Sequence, residues 1–219
     1  MKRILLVHAY HPSMAPIAKA FATGWPEAQV LNLLDEALYA DVSPEGVMQP
    51  DIPERVASIL QHAEKSRADG VVFTGSTFGP AVDAAKTAIG IPILKADEAM
   101  AEIIAEKAET PVIVCTARRA LPVICGNVEA KVAERGRVLS LSELWVAGAK
   151  DAIVTGDNAT HDRLIAEAVK NNNAGHDMIA FGQVSMVPAK RLLPAEIAAR
   201  VITSAEASVI RMRELVGDR

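Results

Sequence analysis

Two kinds of apolar pattern alternate along the chain. Short runs rich in Val, Ile and Leu occupy Arg3–Val7, Gln29–Leu33, Gly70–Thr74 and Ile91–Leu94, while Ile52–Ser66 and Pro80–Ile89 repeat their apolar residues every three or four positions. Runs that are apolar on both faces predict parallel strands covered on each side by helices, and the 3.6-residue period predicts those helices. The alternation then resumes. Strands are expected at Pro111–Cys115, Arg137–Leu141, Asp177–Phe181 and Val201–Ile202, with helices near Arg119–Glu134, Thr160–Asn171 and Ala205–Val216. The fold class read from this is α/β.

The second half answers the first at a fixed spacing. ILLVHA from Ile4 matches VIVCTA from Val112 (112 − 4 = 108), and VLNLL from Val30, DGVVFTGST from Asp69 and IPILKADEA from Ile91 find counterparts at Val138, Asp177 and Ala199 at the same offset. A repeat of this length implies two pseudo-symmetric lobes, each a four-stranded, mostly parallel sheet flanked by helices. Lobe 1 is expected to comprise residues 1–96 plus 205–219, its last helix packing back beside the one near Asp97, and lobe 2 residues 97–204. In open parallel sheets ligands bind beyond the carboxyl ends of the strands, which predicts a cleft between the lobes where equivalent strand ends meet. The proline-bearing segment Asp41–Pro53, with Pro44, reads as a mobile flap.

Composition narrows the function. Half of the 219 residues are apolar, the formal charge is −4, and aromatics make up 4%. A nucleic-acid surface needs a basic field and stacking platforms, and neither is present. The opening MKRILLV is cut short at His8, too soon for a signal sequence or a membrane span, so a soluble cytoplasmic protein is expected. Cys115 and Cys125 lack the spacing of a disulfide framework or a zinc site, and no dense cluster of His, Asp and Glu suggests another metal.

Candidate chemistry lies just past the strands. By the offset, His8 pairs with Thr116, the turn Gly75-Ser76-Thr77 with Gln183-Val184-Ser185, and Lys95 with Thr203, while Tyr10-His11 and Arg118-Arg119 sit in corresponding loops. The turn GSTFGP leads from a strand into a helix, where free N–H groups and two hydroxyls suit a carboxylate or phosphate. No P-loop or GxGxxG fingerprint occurs, which weakens a flavodoxin-like nucleotide-binding reading.

These turns resemble those of the aspartate, glutamate and hydantoin racemase superfamily, which also includes arylmalonate decarboxylase and maleate isomerase. Thr74-Gly75-Ser76-Thr77 followed by FGPAVDAA is similar to the family's first turn, Cys-x-Thr/Ser, and to the DPGLDAA of hydantoin racemases. Gly182-Gln183-Val184-Ser185-Met186 is similar to the second turn, GCAGM, and PVIVCTARRALPVI, VEAKVAERG and AEASVIRMREL extend the likeness over the whole chain. The resemblance implies cofactor-independent isomerase or lyase chemistry at the carbon next to a carboxylate of a small amino-acid-like substrate, in a possible homo-oligomer. In the racemases two cysteine thiols move the proton. Here Gly75, or Ser76 with the alignment one residue later, and Gln183 stand at those positions, and the first turn is similar to the Gly-Thr-Ser of arylmalonate decarboxylase.

On this reading Gly75, Gln183 and His8 are the catalytic positions, with His8 or a neighbour moving the proton. Ser76, Thr77, Thr116, Ser185 and Tyr10 bind substrate, and Lys95, Arg118 and Arg119 are further candidate carboxylate ligands. Cys115, matched to Val7, and Cys125, matched to Ile17, read as core residues. His62, His161 and His176 read as solvated, and Asp97, Glu98 and Asp157 as residues at helix starts or in loops. The alternative is a small-carboxylate binding protein that has kept the cleft and lost the chemistry.

Overall fold

A computed structural model describes residues 1–43 and 47–217. By chain contacts it divides into two compact units, Met1–Ala96 with Ser208–Arg219, and Asp97–Ala207.

In the first unit the strands are β1 (Arg3–His8), β2 (Gln29–Leu34), β3 (Gly70–Phe73) and β4 (Ile93–Lys95), all parallel in the order β2-β1-β3-β4. Helices α1 (Met14–Gly24), α2 (Ala37–Ala40), α3 (Ile52–Lys65) and α4 (Gly79–Lys86) connect them. The flap prediction meets a partly anchored segment: Pro44 lies outside the described residues, but Val42 bridges Met48, both pack on the core, and Arg55 on α3 binds Asp41 and Asp35.

In the second unit, α5 (Ala96–Lys107) leads to β5 (Val112–Cys115), α6 (Ala120–Glu134), β6 (Ser142–Trp145), α7 (Ala149–Val154) and α8 (Asn158–Asn171). There follow β7 (Ile179–Phe181), a 3-10 segment (Val184–Leu192), α9 (Ala195–Ala198) and β8 (Val201–Thr203), and the sheet order is β6-β5-β7-β8, again all parallel. The last helix, α10 (Ser204–Val216), reaches the first unit. There a Cβ on Gly70 would fall 2.5 Å from Met212 Sδ, so glycine lets α10 lie against β3.

The repeat is real but its offset is not constant. Val7 lies beside Leu33 and Phe73, as Val114 lies beside Leu144 and Phe181. All six side chains border the hydrophobic core on one face of their sheet. Matched face to face, β1 and β5 are 107 apart (114 − 7), β2 and β6 111 (144 − 33), and β3 and β7 108 (181 − 73). A one-residue slip turns every side chain to the other face, so the difference changes which residues correspond. His8 answers Cys115 rather than Thr116, and Ala9 answers Thr116; Cys115 does not answer Val7.

The strand expected at Arg137–Leu141 lies instead at Ser142–Trp145. Arg137–Leu141 is apolar in composition, but Val138 is 92% exposed, Arg137 donates to the Ala105 and Ala108 carbonyls, and the Ser140 amide donates to Glu109. Those bonds anchor the segment as a connection. A duplicated clamp at the other end of the sheets supports the revised register. Asp69 accepts from the Arg3 amide at 2.7 Å, and Asp177 accepts from the Glu109 and Thr110 amides at 2.6 and 3.0 Å. Burial raises the Asp177 pKa, but those amides and the Thr110 hydroxyl outweigh it and hold the carboxyl below its usual value.

Candidate functional site

In the first unit β1 and β3 end together on a buried polar network. His8 is fully enclosed. Its Nε2 lies 3.0 Å from Asn32 Oδ1, and its Nδ1 lies 3.0 Å from Thr74 Oγ1 and 3.2 Å from Ser13 Oγ. With Oδ1 as acceptor, Nε2 carries the proton and Nδ1 accepts. Ser13 donates to the Tyr10 carbonyl at 2.7 Å, and the Thr74 hydroxyl lies between Nδ1 and the Val7 carbonyl, to which it donates at 3.3 Å. Burial lowers the His8 pKa; the bond to Asn32 opposes this and His11 adds to it. The ring is neutral and fully engaged, the setting of a residue that fixes the strand ends.

Beyond Thr74 the chain turns at Gly75, where a Cβ would stand 3.0 Å from the Phe78 ring and 3.1 Å from that of Phe73. Ser76–Phe78 form a 3-10 turn that runs into α4, and Phe78 donates to the Gly75 carbonyl. The amides of Ser76 and Thr77 open this helical segment, where N–H groups lack partners within the helix. Among the described residues nothing else accepts from them. The Thr77 hydroxyl lies 3.1 Å from that of Tyr39, a residue on α2 that carried no sequence signal. Tyr39 in turn packs 5.9 Å from Tyr10, and burial first, then Tyr39, raises the Tyr10 pKa, so its phenol stays protonated.

In the second unit the corresponding turn sends a side chain to the neighbouring strand. Gly182 is required where β7 ends, since a Cβ there would lie 2.5 Å from Cys115 Sγ and 3.2 Å from the Val114 carbonyl oxygen. That close approach brings Gln183 to the end of β5. Its Oε1 accepts from the Thr116 amide at 2.8 Å, the Thr116 hydroxyl at 2.9 Å and the Ala117 amide at 3.1 Å. Thr116 is further braced by Trp145, whose Nε1 donates to its carbonyl at 3.1 Å. Ser185 is buried in the following 3-10 segment.

The other candidates are committed elsewhere. Lys95 Nζ donates to Asp83 on α4 at 2.5 Å, and Arg118 lies over the Trp145 ring, 5.1 Å from its centroid, while Arg119 is exposed at the start of α6. Asp157 caps α8 by accepting from the Thr160 amide, and Asp97 is buried and accepts from Asn127. His62 is exposed as expected, but His161 and His176 are not simply solvated. His161 is wholly buried against Asp162, and half-buried His176 donates to the Thr110 carbonyl. Both cysteines are buried; burial, with Glu143 adding to it, pushes Cys125 up to about 12, and burial raises Cys115 still further. Neither is a thiolate at neutral pH. Among the described residues no group of three or more His, Cys, Asp or Glu could hold a metal, and no helix is long and apolar enough to cross a membrane.

The Asp/Glu/hydantoin racemase family model matches residues 13–212. Among solved structures, the aspartate racemase of Picrophilus torridus is similar with a TM-score of 0.73 at 10% identity, covering 100% of this chain and 96% of that one. The allantoin racemase of Klebsiella pneumoniae gives 0.71 at 18% identity, with 99% and 88% covered. A liganded arylmalonate decarboxylase variant, in which a glycine became cysteine and a cysteine became serine, gives 0.62 at 17%, with 100% and 94% covered. No curated protein matches significantly in sequence.

Proposed function

Because the chain belongs to the Asp/Glu/hydantoin racemase family, we propose that it acts without a cofactor on a small amino-acid-like carboxylate, at the carbon next to the carboxyl group. Gly75 and Gln183 take the places of the two catalytic cysteines. The observation that carries the reading is the pair of unpartnered amides at Ser76 and Thr77, flanked by their hydroxyls, in a turn at the start of a helix. Such donors hold a carboxylate and stabilise the enediolate formed when a bond at the neighbouring carbon breaks. Ser185 and Thr116 belong to the corresponding strand ends of the second unit.

Racemisation needs a base and an acid, and neither turn offers a base. A lyase step needs less: the C–C bond to a second carboxylate breaks, its electrons pass into the enediolate, CO₂ leaves, and one proton is delivered to carbon. Tyr10, kept protonated by burial, is suited to supply that proton, and His8 holds Thr74 and the Tyr10–Ser13 loop in place. The decarboxylase among the structural neighbours is in keeping with this reading. Incubating the protein in D₂O with aspartate, glutamate, hydantoins and arylmalonates tests it: CO₂ release with one deuterium at the α-carbon is expected from an arylmalonate. Exchange into aspartate or glutamate without CO₂ would instead make it a racemase. Binding with neither outcome would favour the carboxylate-binding reading, to which the buried thiols lend support.

A further inference from the structure

We infer that the open edge of β6 is an interaction surface for a second copy of this chain: two β6 strands pair antiparallel about a twofold axis at Leu144, and Glu143 of each meets Arg118 of the other. The surface lies wholly within the second unit and is independent of the proposed reaction.

Each four-stranded sheet ends in two edge strands. β4 and β8 are short and largely buried, whereas β2 and β6 each expose two residues. An open edge offers unpaired N–H and C=O groups to another strand. β2, with the sequence QVLNLL, has no charge to select a partner. On β6 the Ser142 amide donates to Pro111 and the Val146 amide to Cys115, so by the alternation of a ladder Ser142, Leu144 and Val146 bond towards β5. The backbone groups of Glu143 and Trp145 therefore point away from the sheet.

Those two residues complement each other. With Leu144 on the axis, Glu143 lies opposite the partner's Trp145, and the two exchange both of their N–H···O bonds. Opposed residues share a face of the sheet, so the partner's Glu143 carboxylate arrives beside Trp145, where Arg118 lies over the ring, 5.1 Å from its centroid. Stacking occupies the face of that guanidinium and leaves its N–H edge. Among the described residues no carboxylate accepts from Arg118, and Glu143 neighbours the Cys125 thiol but no cation. Trp145 is 43% exposed yet anchored, its Nε1 donating to the Thr116 carbonyl. Exposed Trp and Arg are the residue types that carry binding energy at interfaces, and a twofold axis supplies each unpaired charge with its opposite.

Sedimentation of the intact protein over a range of concentrations tests this, with Glu143→Arg, Arg118→Glu and the two combined. The wild type is expected to dimerise, each single reversal to weaken the dimer about tenfold or more by opposing like charges, and the double reversal to restore it. Leu144→Cys should form an intermolecular disulfide in oxidised glutathione, because facing residues of a pair without hydrogen bonds have Cα atoms about 4.5 Å apart, within disulfide reach. Ser142→Cys, displaced from the axis, should not. A wild type that stays monomeric up to about 1 mM would overturn the inference. So would a dimer indifferent to both single reversals, which would lie on another surface, or a folded double reversal that fails to restore association. None of these outcomes bears on the proposed reaction, which the D₂O incubations test separately.

Discussion

The turns after β3 and β7 are built on equivalent strands but differ in the side chain that begins them and in the element that follows. In the first, Gly75 has no side chain to offer, and the Ser76 and Thr77 amides open the helical segment. In the second, Gln183 reaches the end of β5 and accepts from Thr116 and Ala117, while the Val184 and Ser185 amides open the following 3-10 segment as Ser76 and Thr77 open theirs. One residue decides whether the turn ties itself to the neighbouring strand: Gln183 does so through Thr116 and Ala117, and Gly75 has no side chain to do it. The backbone differs as well: the first turn runs into α4 and the second into the 3-10 segment Val184–Leu192.

The sharpest way to break this comparison is at Gly182. Its Cβ would meet Cys115 Sγ, Ile124 and a backbone carbonyl, so Gly182→Ala should destabilise the protein by about 3 kcal/mol in urea unfolding. An effect near zero would mean that β7 does not press on β5 and that Gln183 is not held there. Gly75→Ala meets only two aromatic rings, each able to give a little, and its backbone is unstrained at φ −109°, so about 1–2 kcal/mol is expected. Equal costs at the two glycines would erase the distinction between the turns. Thr116→Val removes one of three donors from Gln183 and should cost about 1 kcal/mol, with a measurable gain in mobility of the Gln183 amide.

The smallest effect expected is one of pH. His8 is held below its unfolded value of 6.5, so the unfolded chain takes up its proton first as the solution is acidified. Its contribution to stability is whole above 6.5 and falls as pH drops below that value towards the folded pKa. Melting temperatures between pH 8 and 5 should show this slope in the wild type, and His8→Gln should flatten it.

How far the sequence reveals this molecule depends on the distance over which a feature is determined. The strands Arg3–His8 and Gly70–Phe73 were readable because their apolar runs are local, as was Asp157 capping the helix that follows it. Arg137–Leu141 misled for the same reason: its apolar letters look like a strand until Arg137 and Ser140 are seen bonding to residues about the end of α5. The turns themselves could be found from glycine and hydroxyl residues, but not their state. His8 depends on Asn32 and Thr74, 24 and 66 positions away, and Gln183 on Thr116, 67 positions away. Tyr39 was overlooked because nothing nearby in sequence marks it.

The first unit is discontinuous: it needs Met1–Ala96 and the chain from Ser208, whereas the second is the single stretch Asp97–Ala207. On a ribosome, domains emerge in order and tend to fold as they are completed. Here the order inverts. β1 to β4 are translated before the second unit, yet β3 at Gly70 remains without the helix that bears Met212 until the second unit already has all its residues. The half translated first is the half finished last, and an interrupted translation product would expose the back of β3 while leaving the second sheet intact.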